Sequence, residues 1–358
     1  MKLWQILALV ALGVLYGLIQ PGRLAYAFGH ATLYVFLPAL LFEAAWNLNF
    51  RAMRRQWLAI ATLAGPGVLL TAAIVAGALS IVRVPFGAAL LTGAILSATD
   101  PIAVVAIFRR LPVPRTLATI VECESLFNDA VAVVLYRAVL AAMAAGAGAL
   151  GIVTLQTIAG MTGGVALGVA LAFVVARGLR ARNASIQIVA TIVCAYGSYF
   201  AAEYAHLSGV FATIACGIAL RYYERSWITL RIADDVNRFW DVAAVVANAT
   251  VFFMVGAALE IGRIVQAPVF TIAALAGVAV ARAAVGGLLL LWPYPRAWID
   301  VVRVAGMRGG LCLALALALP ADFPLREAIV DATFAVSLAT LAIGGLALER
   351  VVRRTRFP

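Results

Sequence analysis

Charge is scarce in this chain of 358 residues: Asp, Glu, Lys and Arg together make 12% of it, against 65% hydrophobic residues. That shortage excludes an ordinary soluble domain, because no single water-soluble core could bury so much apolar surface. Histidine is rarer still, with two residues, and the four cysteines (Cys123, Cys194, Cys216 and Cys312) fall singly within apolar stretches. No Cys-x-x-Cys or Cys/His spacing occurs, so neither a disulfide framework nor a zinc site is indicated, and the cysteines read as small buried hydrophobes. Long polar linkers are missing too, which leaves one expected transmembrane domain over 1–358 and no soluble regulatory tail.

What is present is a series of apolar runs of about twenty residues, the length an α-helix needs to cross a bilayer. A β-barrel would instead show ten-residue alternating strands. Twelve such runs are read, at about 3–20, 29–47, 57–81, 86–108, 116–144, 149–177, 184–204, 207–222, 239–261, 267–291, 301–320 and 327–349. The expected fold class is an all-α polytopic membrane protein with about twelve transmembrane helices. The net charge of +11 does not signal nucleic acid, because the arginines sit in short clusters between the runs. Counted alternately by side, twenty of the 27 basic residues fall on one face of the membrane. Only Arg23, Arg83, Arg263 and Arg326 fall on the other. The first side is therefore read as cytoplasmic, with both termini on it.

Three arginines, Arg137, Arg282 and Arg308, lie inside the runs, as do the acids Glu43, Asp100, Glu122, Glu124 and Asp129. Ionisable groups at that depth are costly unless paired or hydrated, and they point to function. They concentrate in Thr99-Asp100-Pro101 and in Glu124-Ser125-Leu126-Phe127-Asn128-Asp129. Proline at 101 interrupts the backbone ladder beside an acid, as in broken transporter helices. Helix rise puts Asp100 and Glu124 roughly 13 Å in from the cytoplasmic markers Arg109 and Arg115, and Asp129 roughly 7 Å deeper. Arg308 and Arg282 bracket that depth. Ser125 and Asp129 are four apart and share one helix face, as Glu124 and Asn128 share another. The first face suits a hard monovalent cation, with a carboxylate and a hydroxyl oxygen. The second can hold Glu124 against an arginine, either Arg282 or Arg308, as a structural ion pair. A second interruption, Gly306-Met307-Arg308-Gly309-Gly310, is read as lying early in the eleventh run.

These motifs resemble a known family. Leu37-Pro38-Ala39-Leu40-Leu41-Phe42-Glu43-Ala44, the stretch from Ser97 to Val104, the stretch from Glu122 to Asp129, and the stretch from Arg308 to Leu317 resemble the monovalent cation:proton antiporters. The branch is that of the Na+/H+ exchangers and NhaP-like proteins, with Asn128-Asp129 where the electrogenic branch has two aspartates. Ser208-Gly209-Val210 and the run from Phe239 to Asn248 extend the likeness over nearly the whole chain.

The resemblance implies an inverted-repeat antiporter fold with two partly unwound crossing helices, a core domain and a dimerisation domain. It implies that Asp129 carries the exchanged cation or proton, with Glu43, Ser125 and the Thr99 backbone as auxiliary ligands. Asp100 would neutralise the broken helix ends, Asn128 would stabilise the site, and Glu124 would pair with Arg282 or Arg308. It implies a transporter and no enzyme, no cofactor besides the transported ions, a homodimer in the cell (inner) membrane, and neither nucleic acid nor organic substrate as partner. Cys123 and Cys312 stand where glycine and serine are frequent in the family. Many members have a further helix ahead of the segment matching 3–20, so a shorter form or an incomplete sequence is expected.

Other features read plainly. Arg137 is structural, His206 and His30 lie in connections, and the glycines from Gly146 to Gly168 mark a turn and close helix packing. With Asp129 the one acid on the cavity face near the midplane, exchange is expected to be electroneutral. A sodium-coupled solute symporter and a K+/H+ antiporter are the alternative functions.

Overall fold

The computed structural model describes residues 3–20, 32–178, 184–227, 230–257 and 268–355. Lys2, Arg23, Arg180, Arg182, Arg263 and Arg356 of the orientation count, and His30, lie outside the described residues. Among the described residues every regular element is helical and none is a strand. The chain is an all-α, multi-pass membrane protein.

The helices run in order as α1 (Leu3–Ile19), a π-helical turn (Thr32–Phe36) leading into α2 (Leu37–Asn47), the short α3 (Phe50–Arg55), α4 (Trp57–Ala64) and α5 (Pro66–Ile81). Next come α6 (Phe86–Ile95), α7 (Pro101–Phe108), α8 (Arg115–Ala145), α9 (Leu150–Gly178), α10 (Ala184–Tyr204), α11 (Gly209–Trp227) and α12 (Leu230–Ala257). The last are α13 (Pro268–Leu288), α14 (Arg296–Val304), α15 (Gly310–Leu317), α16 (Arg326–Ala339), a π-helical turn (Thr340–Gly344) and α17 (Gly345–Arg354). Seven continuous helical stretches among the described residues are long and apolar enough to span a membrane. Each expected apolar run contains described helix, and two runs are split. One splits between α6 and α7, the other between α14 and α15.

The eleventh run needs a correction. Helix already begins at Arg296 rather than near 301, so the glycine interruption is central and not early. The reason is that α14 is amphipathic: Arg296, Asp300 and Arg303 interrupt its hydrophobicity, while Ile299, Val301 and Val302 are buried. A search for unbroken apolar runs discards such a helix. The third run is also bent, between α4 and α5, where Pro66 starts a new helix after Gly65.

Two compact units emerge. The first comprises Met1–Thr32, Arg51–Leu140 and Ala249–Pro358; the second comprises Leu33–Phe50 and Ala141–Asn248. The long helices α8 and α12 contribute to both. In the first unit, a core of Leu63, Ile107, Leu117, Ile120, Val285, Val301, Val302 and Met307 packs around the two split runs. In the second, the Phe42 and Trp240 ring centroids lie 4.8 Å apart, and the indole nitrogens of Trp46 and Trp240 are both satisfied. Trp46 Nε1 donates to Asn237 Oδ1 at 2.8 Å and Trp240 Nε1 to Thr191 Oγ1 at 3.0 Å. Close packing of α9 on α11 in that unit depends on Gly168, where a Cβ would lie 2.1 Å from the Ala212 carbonyl oxygen.

Candidate ion-binding site

Both backbone breaks lie in the first unit, and they meet. After α6 the chain passes Leu96 and becomes extended at Asp100 (φ −106°, ψ 117°), then re-enters helix at Pro101. Proline suits the first helical position, since its missing N–H would have had no intrahelical acceptor. Asp100 caps this half-helix: its Oδ1 accepts from the Ile102 N–H at 2.8 Å. In the second break Gly309 is extended, and α15 starts at Gly310 without a side-chain cap.

The Asp100 N–H donates to the Met307 carbonyl at 2.8 Å, backbone to backbone across the breaks. Gly309 is packed onto Asp100 so closely that a Cβ there would lie 2.2 Å from Oδ2. Arg308, fully buried, donates from Nη1 to the carbonyls of Ser97 and Ala98, both at 3.1 Å. These carbonyls lie in the break itself, just past the end of α6, where they have no helical donors. Cys312 Sγ contacts the Ala98 oxygen at 3.3 Å. The Arg308 N–H donates to Thr340 Oγ1 at 3.0 Å, tying the second break to the π-turn.

Helix α8 braces both breaks, one with each face. On the first face Asp129 Oδ1 accepts from the Thr99 N–H at 3.1 Å, and Ser125 Oγ donates to the Thr99 carbonyl at 2.6 Å. The hydroxyls of Thr99 and Ser125 are 3.2 Å apart. On the second face Glu124 Oε1 accepts from Arg282 Nη1 at 2.7 Å, a pair buried on both sides. Arg282 Nη2 reaches the Val302 carbonyl of α14, and a Cβ on Gly306 would overlap the guanidinium. Asn128 joins the two faces: Nδ2 donates to Thr99 Oγ1 at 3.3 Å and to Glu124 Oε1 at 3.4 Å.

Of the two arginines left open by the sequence, Arg282 is the one bonded to Glu124, while Arg308 serves the carbonyls just past α6. Glu43 belongs to α2 of the second unit, where its Oε1 accepts from Asn47 Nδ2 at 2.7 Å. Sequence reasoning missed Thr340 and the Cys312 contact, for which no motif gives a signal.

The arrangement leaves oxygen atoms of the kind a small cation takes. Asn128 Oδ1 is buried with no hydrogen-bond partner among the described residues, and Asp129 is only partly buried while Glu124, Ser125 and Asn128 are enclosed. Oxygen donors without protein partners suit a hard monovalent ion. Charge points the same way. Around the breaks stand Asp100, Glu124 and Asp129 against Arg282 and Arg308, so acids exceed bases by one.

A family model described as sodium/hydrogen exchanger, transmembrane, matches residues 1–354. The chain belongs to that family. Within the sodium/hydrogen exchanger family it is 33% identical over 338 residues to the Na(+)/H(+) antiporter NhaG of Bacillus atrophaeus, and 32% identical over 367 residues to NhaH of Halobacillus aidingensis. These alignments cover 91% and 97% of this chain. The chain spans 64% of the length of the Bacillus relative and 91% of the Halobacillus one. Its fold is similar to that of the sodium proton antiporter MjNhaP1 from Methanocaldococcus jannaschii, with a TM-score of 0.82 at 20% identity, covering 95% of this chain and 92% of the other.

Proposed function

We propose that this chain is a secondary active antiporter that exchanges one monovalent cation, Na+ by analogy with the named relatives, for one proton. The observation that carries the reading is the single excess acid at the joined breaks: among the described residues neither Asp100 nor Asp129 is ion-paired, and Asp100 is taken up as the cap of α7 while Asp129 shares its helix face with Ser125. Ionised, Asp129 receives the cation, with Ser125, Thr99 and Asn128 supplying neutral oxygens. Protonated, it leaves no net charge for a cation to neutralise. The site then carries the same charge with either cargo, so exchange is electroneutral. Cation and proton compete.

Alternating access moves this site between the two membrane faces. The arginine bias supports an orientation with both termini in the cytoplasm, and the reading assigns the chain to the cell membrane. Assembly as a homodimer follows from the family resemblance.

The test is proton movement in proteoliposomes over a matrix of Na+, K+ and Li+ against pH, with and without a potential clamped by valinomycin and K+. Sodium is expected to drive proton flux, acid is expected to raise the apparent KM for the cation, and the clamp is expected to change nothing. Absence of cation-driven proton flux would overturn the reading. A rate that follows the imposed potential would overturn electroneutrality, and Asp100 would be the first second carrier to examine.

A further inference from the structure

Arg326 opens α16, at the end of the helix where the backbone dipole disfavours a cation. Its guanidinium does not serve its own helix. Nε donates to the Leu319 carbonyl at 3.1 Å and Nη2 to the Leu317 carbonyl at 3.1 Å. Leu317 is the last residue of α15, and carbonyls there have no donor within the helix. The connection is folded to allow this reach. The Phe323 N–H donates to Pro320 O, the Arg326 N–H donates to Phe323 O, and Leu325 adopts a left-handed conformation (φ 61°) unusual for leucine.

From this geometry we infer that Arg326 is a positioning residue for the ion site, acting through α15. That helix has eight residues, a length of roughly 12 Å, too short to be stable without its surroundings. Its near end is the second break: Gly309 seated on Asp100, and Cys312 on the Ala98 carbonyl. Its far end is the pair of carbonyls that Arg326 holds. Cys312 through Leu317 are buried, so α15 transmits displacement along its axis rather than absorbing it sideways. Slack at the far end therefore reaches Asp100 and then Thr99, whose N–H holds Asp129 and whose carbonyl holds Ser125. Arg308 does for the chain just past α6 what Arg326 does for the end of α15: each takes backbone carbonyls onto a guanidinium from elsewhere.

The inference rests on the exchange reading and is tested beside it. Arg326→Gln and Arg326→Lys would be compared with the unaltered protein in proteoliposomes, with Na+-dependent melting in detergent as a transport-independent measure of binding. Losing the charge-assisted bonds should raise the apparent KM for Na+ by about tenfold and leave the maximal rate within about twofold. The Na+ concentration needed to raise the melting temperature should shift likewise. Lysine, which keeps the charge but not the two-pronged donor, should fall between. A merely structural cap would lower melting while KM stays at the unaltered value, and that result overturns the inference. If the glutamine variant does not fold, the lysine variant decides: a raised KM supports the assignment and an unchanged KM overturns it. Failure of the unaltered protein to exchange at all would instead overturn the functional reading on which it rests.

Discussion

The break between α6 and α7 is built from its own polar side chains, whereas the break between α14 and α15 is built from glycines around one arginine. In the first, Asp100 caps the new half-helix and Thr99 presents its N–H, carbonyl and hydroxyl to α8. In the second, Gly306 and Gly309 leave room for groups from elsewhere: the Arg282 guanidinium and the Asp100 carboxylate. One break offers mainly acceptors, and the other supplies Arg308 as donor. Each meets the unpaired backbone of its neighbour, which is what a broken helix in an apolar medium requires. The difference teaches that the first break makes the site and the second makes space and charge for it.

Substitutions can sharpen that division. The largest effect on stability is expected at Glu124, which links α8 to the arginine lying on the second break. Glu124→Ala leaves Arg282 buried without its partner and should cost about 3–5 kcal/mol. Adding a neutral substitution of Arg282 should cost much less than the two single effects summed, read by melting in detergent. A Glu124→Ala protein that melts like the unaltered one would remove the structural role.

Gly309→Ala comes next. Its Cβ would collide with Asp100, and displacing one of the two breaks should cost about 1–3 kcal/mol. Proton flux should fall with it. An alanine variant of unchanged stability and rate would mean that the seat of Gly309 on Asp100 is not needed.

The smallest stability effects are expected at Asp100, and there the cap can be separated from the charge. Asp100→Ala should lose about 1 kcal/mol of capping, while Asp100→Asn should keep almost all of it. Both remove the excess acid, so both should depress cation-driven flux equally. If the asparagine variant transports normally, Asp100 is only a cap.

Much of this organisation was legible in the sequence. Proline after an acid inside an apolar run marked the first break, and four-residue spacing on α8 marked two faces, which meet different partners, Thr99 and Arg282. The glycines around Arg308 gave the second break, but its position in the run was misjudged. Helix α14 carries Arg296, Asp300 and Arg303, and a search for unbroken hydrophobicity passes over an amphipathic helix. Which arginine pairs with Glu124 was not legible, because depth estimated from helix rise is too coarse to separate Arg282 from Arg308. The roles of Thr340 and Arg326 were invisible for another reason. Each acts through backbone groups of another helix, and a backbone carbonyl or N–H leaves no signature in sequence.

Under the proposed exchange, Asp129 is the one acid that takes either cation or proton. Asparagine is nearly the same size and keeps an oxygen for the Thr99 N–H, so Asp129→Asn should fold and melt much as the unaltered protein does. The direct measurement is Na+-driven proton flux through purified Asp129→Asn in proteoliposomes, with melting recorded with and without Na+. No flux and no Na+-dependent rise in melting temperature are predicted. Clear residual exchange from well-folded Asp129→Asn would contradict the account.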